Sequence, residues 1–174
     1  MVETSSRIRS DRGMMKTIRI AAALLLRPDG DLLLVRKRGT AAFMQPGGKI
    51  EPEEAPEQTL IRELFEELRL VVTTEELVFL GKFQASAANE PEHIVVADLF
   101  RLHVGNIEIT PAAEIEEIRW VSPQDPGDIA MAPLTEHHVL PFYRQQDIST
   151  MGLTSNPGKA QVEKASHCPW QMNI

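Results

Sequence analysis

Between Ile50 and Leu68 the chain carries seven glutamates, at positions 51, 53, 54, 57, 63, 66 and 67, and one basic residue, Arg62. A glutamate-rich helix face is ordinarily solvated, and such faces intersperse lysine because like charges one turn apart cost about a few tenths of a kcal/mol per pair. Carboxylates clustered without counter-charges suit a hard divalent cation instead, Mg2+ or Mn2+. Glu63, Glu66 and Glu67 are spaced by three and four residues, so a helix sets them on one arc. Just upstream, Pro46-Gly47-Gly48-Lys49 supplies a tight loop whose backbone can approach a ligand closely. Carboxylates with a close backbone loop beside them are the parts of a divalent-cation site open to a ligand.

The elements that must position these groups are legible around them. Pro56 fits a first helical position, and no further Gly or Pro occurs before Leu68, so a helix is expected over Pro56 to Leu68. On its wheel Leu60, Ile61, Leu64, Phe65 and Leu68 form a core-facing stripe, with the three carboxylates on the neighbouring arc. Ile18 to Leu26 and Leu32 to Val35 read as strands joined by Arg27-Pro28-Asp29-Gly30-Asp31, the composition of a hairpin turn. Leu77 to Gln84, His93 to Val104 and Ile115 to Val121 are further candidate strands, and Leu134 to Gln146 a closing helix.

With those residues set out, the resemblance is specific. Gly48, Glu54, Arg62-Glu63, Leu64, Glu66-Glu67 and Leu70 stand at the spacing of the Nudix box, with one departure: Arg69 where the box has Gly. The chain resembles the Nudix hydrolase family, and of its subgroups the MutT-like nucleoside-triphosphate pyrophosphohydrolase type, since the marks of the dinucleoside-polyphosphate, ADP-sugar, NADH and coenzyme A types are missing. The resemblance implies an α/β fold, an α/β/α sandwich with a mixed sheet between helices and the box as a loop–helix–loop. It implies Mg2+-dependent hydrolysis of a phosphoanhydride bond in a nucleoside diphosphate linked to another group, such as a triphosphate, oxidised or not, giving the monophosphate and pyrophosphate. A nucleotide sugar or dinucleotide as substrate, a non-catalytic ligand-sensing module and a metal-stabilised scaffold without turnover stay open as alternatives.

By match to the box, Glu66 and Glu67 are expected as metal ligands, and Glu63 as a ligand or as the group that orients and deprotonates water. The carbonyl of Gly47 or Gly48 completes the shell. Arg62 resembles an orienting ion pair, and Glu54 a loop-fixing acid. Outside the box, Glu114, ahead of Trp120, is the candidate for a further metal-binding acid, with Glu116 and Glu117 as competitors. Lys37, in the run Arg36-Lys37-Arg38, and Gly48 are candidates for substrate contact. A base-reading Asn near the closing helix, known in some relatives of this type, is missing; Pro133 or Leu134 occupies that region.

Bulk properties set the limits. One domain with a sizeable core fits 174 residues, here a hydrolase domain over 17–146 between an N-terminal tail, 1–16, and a C-terminal tail, 147–174, disordered or loosely docked. A net charge of −7 argues against a nucleic-acid polymer as partner, and leaves a small nucleotide open because a bound cation reverses the local sign. The single cysteine, Cys168, suits a reducing compartment. No apolar run reaches the ~18 residues that span a membrane, so the expectation is a cytoplasmic protein, monomer or homodimer.

Overall fold

The computed structural model describes residues 15–145 and the short strand Gln161–Val162. Expectations about 1–14 and the rest of 146–174 lie outside the described residues. The backbone of the fold is β1 (Lys16–Leu26), an apolar strand buried on both faces from Ala21 onward. It turns through Pro28 and Gly30 into β2 (Leu32–Lys37). Arg27 N–H donates to Asp31 O (2.9 Å) and Gly30 N–H to Arg27 O (3.1 Å), closing the expected hairpin.

The two strands pair only at Leu26 and Leu32 before diverging. β2 swings away to pair with β7 (Ile115–Val121), and the gap beside β1 is filled by β3 (Gly47–Lys49), which pairs antiparallel with Ile20–Ala22. The glycine loop of the box is therefore a strand. Two glycines in three residues hide that from any propensity argument. On the other side β6 (His93–His103) runs parallel to β1, and β5 (Val78–Ser86) closes the edge, giving a mixed six-stranded sheet ordered β5-β6-β1-β2-β7 with β3 off this path.

Each face of the sheet carries its own apolar layer. One holds Ala21, Ala23, Leu25, Leu33 and Phe100 against the helix α1 (Pro56–Leu68). The other holds Ala22, Leu24, Leu34 and Leu99 against Leu134, Val139, Leu140 and Tyr143 of the closing segment. This is the expected α/β/α layering.

The closing helix differs in kind from the one expected. Thr135–Val139 is a π-helical turn, with Leu140 N–H reaching back to Thr135 O, and only Leu140–Gln145 (α2) is α-helical. Pro141 accounts for it: lacking an N–H and crowding the carbonyl four residues back, it forbids the ordinary α bond there and favours the wider turn. After α1, Leu70–Val71 (β4) pairs antiparallel with Gln161–Val162 (β8). No helix among the described residues is long and apolar enough to cross a membrane.

Candidate active site

Helix α1 presents its glutamates at three depths. Leu60, Leu64 and Leu68 are fully buried, but Phe65 is 38% exposed and so does not belong to the core stripe; Glu67 takes the inward place instead, at 1% exposed. The wheel identifies a face, whereas depth depends on what packs against it. Here β3 lies against α1, and Glu67 Oε2 accepts the N–H of Gly47 at 3.0 Å. Glu63 is mostly buried beside Gly48, and Glu66 stands out at 52% exposed.

Both box glycines are held by this packing. At Gly47, with φ +139°, a Cβ would run into Ala21 O; at Gly48 it would overlap the Glu63 carboxyl. A side chain at either position would push β3 off β1 or Glu63 out of place.

Glu54 fixes the start of the helix. It accepts from Arg62 Nε (3.1 Å) and Nη2 (3.0 Å), and from Thr59 Oγ1 (2.7 Å). The Arg62 hydrogen bonds, then that of Thr59, hold its pKa down at about 2. The same guanidinium donates through Nη1 to Glu63 Oε1 at 2.7 Å and lies 3.6 Å from Glu66 Oε2. Arg62 is thus a planar fork between the loop acid and the two outer carboxylates, and those contacts raise its pKa, with Glu54 contributing most.

Lys37, at the end of β2, reaches across to Glu67 and Glu114. Its Nζ hydrogen-bonds Glu114 and lies 3.1 Å from Glu67 Oε1, a charge contact that leaves that oxygen with no hydrogen-bond donor. Burial pushes the Glu67 carboxyl up to about 7, against the opposing pull of Lys37 and the Gly47 N–H. For Lys37 burial acts downward, and Glu67 and Glu114 more than offset it, so its pKa is raised. Glu116 and Glu117 turn elsewhere, to Arg36 at 2.8 and 2.9 Å.

Lys37, Gly47, Gly48, Glu63, Glu66 and Glu114 line a cleft of about 460 Å³. The same cleft is lined by the aliphatic Ile18, Ile20, Ala22, Val95 and Leu134, and by Gln45 and Thr135. Gln45 and Thr135 escape sequence reasoning: one precedes the glycine loop, the other falls in the expected closing helix, and only the fold brings them together across 90 positions. The pairing of Lys37 with Glu67 is equally invisible in the sequence, although the basic run at the end of a strand marks Lys37 itself.

A buried carboxylate with an oxygen that no donor satisfies is costly unless a cation faces it. Glu67 Oε1 is such an atom, and Lys37 Nζ is the cation beside it. That chemistry fits a divalent ion. As placed, Arg62 hydrogen-bonds Glu63 and Lys37 faces Glu67, and among the described residues no three His, Cys, Asp or Glu side chains converge as a ready cage.

The family model of the NUDIX domain matches residues 16–145. The chain is similar to a CTP pyrophosphohydrolase of Escherichia coli, 32% identical over 124 residues, 68% of this chain and 86% of that protein. It is also similar to an 8-oxo-dGTP diphosphatase of Haemophilus influenzae, 38% identical over 73 residues, 40% of this chain and 54% of the relative. Among solved structures, a MutT NUDIX hydrolase from Burkholderia pseudomallei superposes with a TM-score of 0.59 at 20% identity, covering 75% of this chain and 98% of the other, a likeness of fold.

Proposed function

The chain belongs to the Nudix family and is a hydrolase of phosphoanhydride bonds, and from that premise we propose that it converts a nucleoside triphosphate and water to the monophosphate and pyrophosphate with Mg2+ or Mn2+. One observation carries the reading: one cleft is lined both by the carboxylates Glu63, Glu66 and Glu114 and by the aliphatic Ile18, Ile20, Ala22, Val95 and Leu134. A nucleotide has both needs, a base to bury and a phosphate chain to neutralise. The similar proteins named for CTP and 8-oxo-dGTP support a triphosphate.

In this reading Glu66, Glu67, Glu63 and a carbonyl of the Gly47–Gly48 loop would hold the ion, with Glu114 at its edge. When bound, the ion neutralises phosphate oxygens and lowers the pKa of a water. Glu63, gripped by Arg62 at 2.7 Å, orients the attacking water and takes its proton. Arg62 and Glu54 keep Glu63 and Glu66 in position. Lys37, displaced from Glu67, turns to a phosphate oxygen. β3 holds the backbone of Gly48 against the phosphate chain. The net charge of −7 keeps the partner a small nucleotide rather than a polyanion, and the single cysteine accords with a cytoplasmic setting.

The test is product identification over a panel of nucleoside triphosphates, nucleotide sugars and dinucleotides, with Mg2+, with Mn2+ and with chelator. Monophosphate and pyrophosphate from triphosphates, dependent on the cation, is the expected result. Faster cleavage of a sugar or dinucleotide conjugate would replace the triphosphate reading, and no turnover of any substrate with either ion would remove it.

A further inference from the structure

Gln45 and Thr135 are two of the few buried polar side chains, 5% and 0% exposed, and both line the cleft. Thr135 Oγ1 donates to Gln45 Oε1 at 2.9 Å, tying the residue before the Pro46-Gly47 loop to the π-helical turn. The other end of the amide, Nε2, is buried with no hydrogen-bond partner. A buried donor left unpaired in a native fold calls for a function, because its desolvation is not recovered. With the oxygen already engaged, this amide has only its two N–H bonds to offer.

Among the described residues, none lining the cleft is aromatic, and Gln45 is the buried side chain lining it whose donor is unmet. The torsion that sets the plane of a glutamine amide is broad and soft, so the amide can tilt toward a base while Oε1 stays within reach of the Thr135 hydroxyl.

We propose that Gln45, held by Thr135, is a specificity-determining residue that donates a hydrogen bond to a carbonyl oxygen of the nucleobase. The inference rests on the nucleotide reading above and deepens it. Cytosine, uracil and guanine carry a ring carbonyl; adenine has none and leaves the donor in a poorer arrangement. A site built to give a hydrogen bond rejects a ligand that cannot take it, because the unmet group stays buried. Thr135 is a positioning residue: its hydroxyl fixes which end of the amide faces the base.

The experiment uses the full chain with Mg2+. It measures kcat/KM for ATP, GTP, CTP and UTP, and calorimetric Kd for CMP and AMP, in the wild type and in Gln45→Leu, Gln45→Glu and Thr135→Val. The wild type is expected to favour the three carbonyl-bearing substrates over ATP by about ten-fold or more. Gln45→Leu should lower the CTP-to-ATP ratio of kcat/KM by about ten-fold and the CMP-to-AMP affinity ratio alike. Gln45→Glu, of the same shape but offering an acceptor, should lower both ratios further. Thr135→Val should lower them in the same direction by less. Uniform losses across all bases, or unchanged ratios in both Gln45 variants, would overturn the inference. If no triphosphate is cleaved but the CMP-to-AMP affinity ratio still falls with Gln45→Leu, the triphosphate reading fails and the base contact stands. If triphosphates are cleaved with no dependence on Gln45, the reverse holds.

Discussion

Lys37 Nζ lies 3.1 Å from Oε1 of Glu67, a carboxyl 1% exposed and lodged behind the glycine loop of β3. Thirty residues of chain separate the pair, and the fold spends a cation to keep one carboxylate dry. The arrangement makes Glu67 a buried group whose charge state bears on stability.

Glu67 folds more readily as the neutral acid. Its folded pKa, about 7, lies above the ordinary value of 4.5, so its stabilising contribution is full below pH 4.5 and is lost as pH rises through 7. Metal-free protein should therefore melt at a lower temperature at pH 8 than at pH 5.5 on this account. Glu67→Gln keeps the acceptor for the Gly47 N–H and removes the buried charge. It should raise metal-free stability at pH 8 by on the order of 2 kcal/mol, with the advantage fading toward pH 5. Thermal melts in chelator across that range measure it. A variant less stable than wild type at pH 8 would mean that the Lys37 contact outweighs the burial cost.

Activity should respond in the opposite sense. Turnover is expected to need a divalent cation, and Glu66→Gln or Glu67→Gln should lower kcat by at least about 100-fold with the fold intact, roughly 2.7 kcal/mol of barrier. Steady-state kinetics at saturating Mg2+, with circular dichroism as the check on folding, decide the matter. Near-normal kcat in either variant would take that carboxylate out of the metal site.

Arg62 offers a sharper test of geometry than of charge. Its fork joins Glu54 through two nitrogens and Glu63 through a third, a shape lysine cannot copy. Arg62→Lys should lower kcat by about ten-fold or more, with KM little changed and the melting temperature within a few degrees. An equal fall in kcat for Glu54→Gln would place both residues in one positioning unit. If Arg62→Lys raised KM alone, the guanidinium would be a substrate contact instead.

What could be read from the chain divides by range. The bounds of α1, the β1–β2 turn and β7 follow from local signals: Pro56, the Pro28-Asp29-Gly30 turn, and a short apolar alternation. The wheel places Glu63, Glu66 and Glu67 on one arc but gives no depth, since depth depends on β3, and β3 is concealed by its own glycines. Phe65 sits on the apolar arc yet is 38% exposed, while Leu60, Leu64 and Leu68 on the same arc are fully buried. Lys37 with Glu67, and Gln45 with Thr135, are contacts between distant segments, and no periodicity in the sequence encodes them.

The departure from the box at Arg69 gives the last prediction. Arg69 caps α1 in the left-handed conformation, φ 55° and ψ 27°, with its N–H returning to Leu64 O and Phe65 O. The helix therefore ends at Leu68, as a glycine would end it, and the Cβ bears the strain, roughly 1 kcal/mol. Its guanidinium lies 5.4 Å from the centroid of the exposed Phe65 ring. An exposed contact of that kind returns about 0.5 kcal/mol, less than the strain costs. Arg69→Gly should leave kcat and the Mg2+ activation constant unchanged, and raise stability by a fraction of a kcal/mol, up to about 1. Kinetics across a Mg2+ titration and a thermal melt of the variant test both halves. A large fall in kcat/KM at saturating Mg2+ would make Arg69 a substrate contact, and a fall in melting temperature would show that the Phe65 contact outweighs the strain it accompanies.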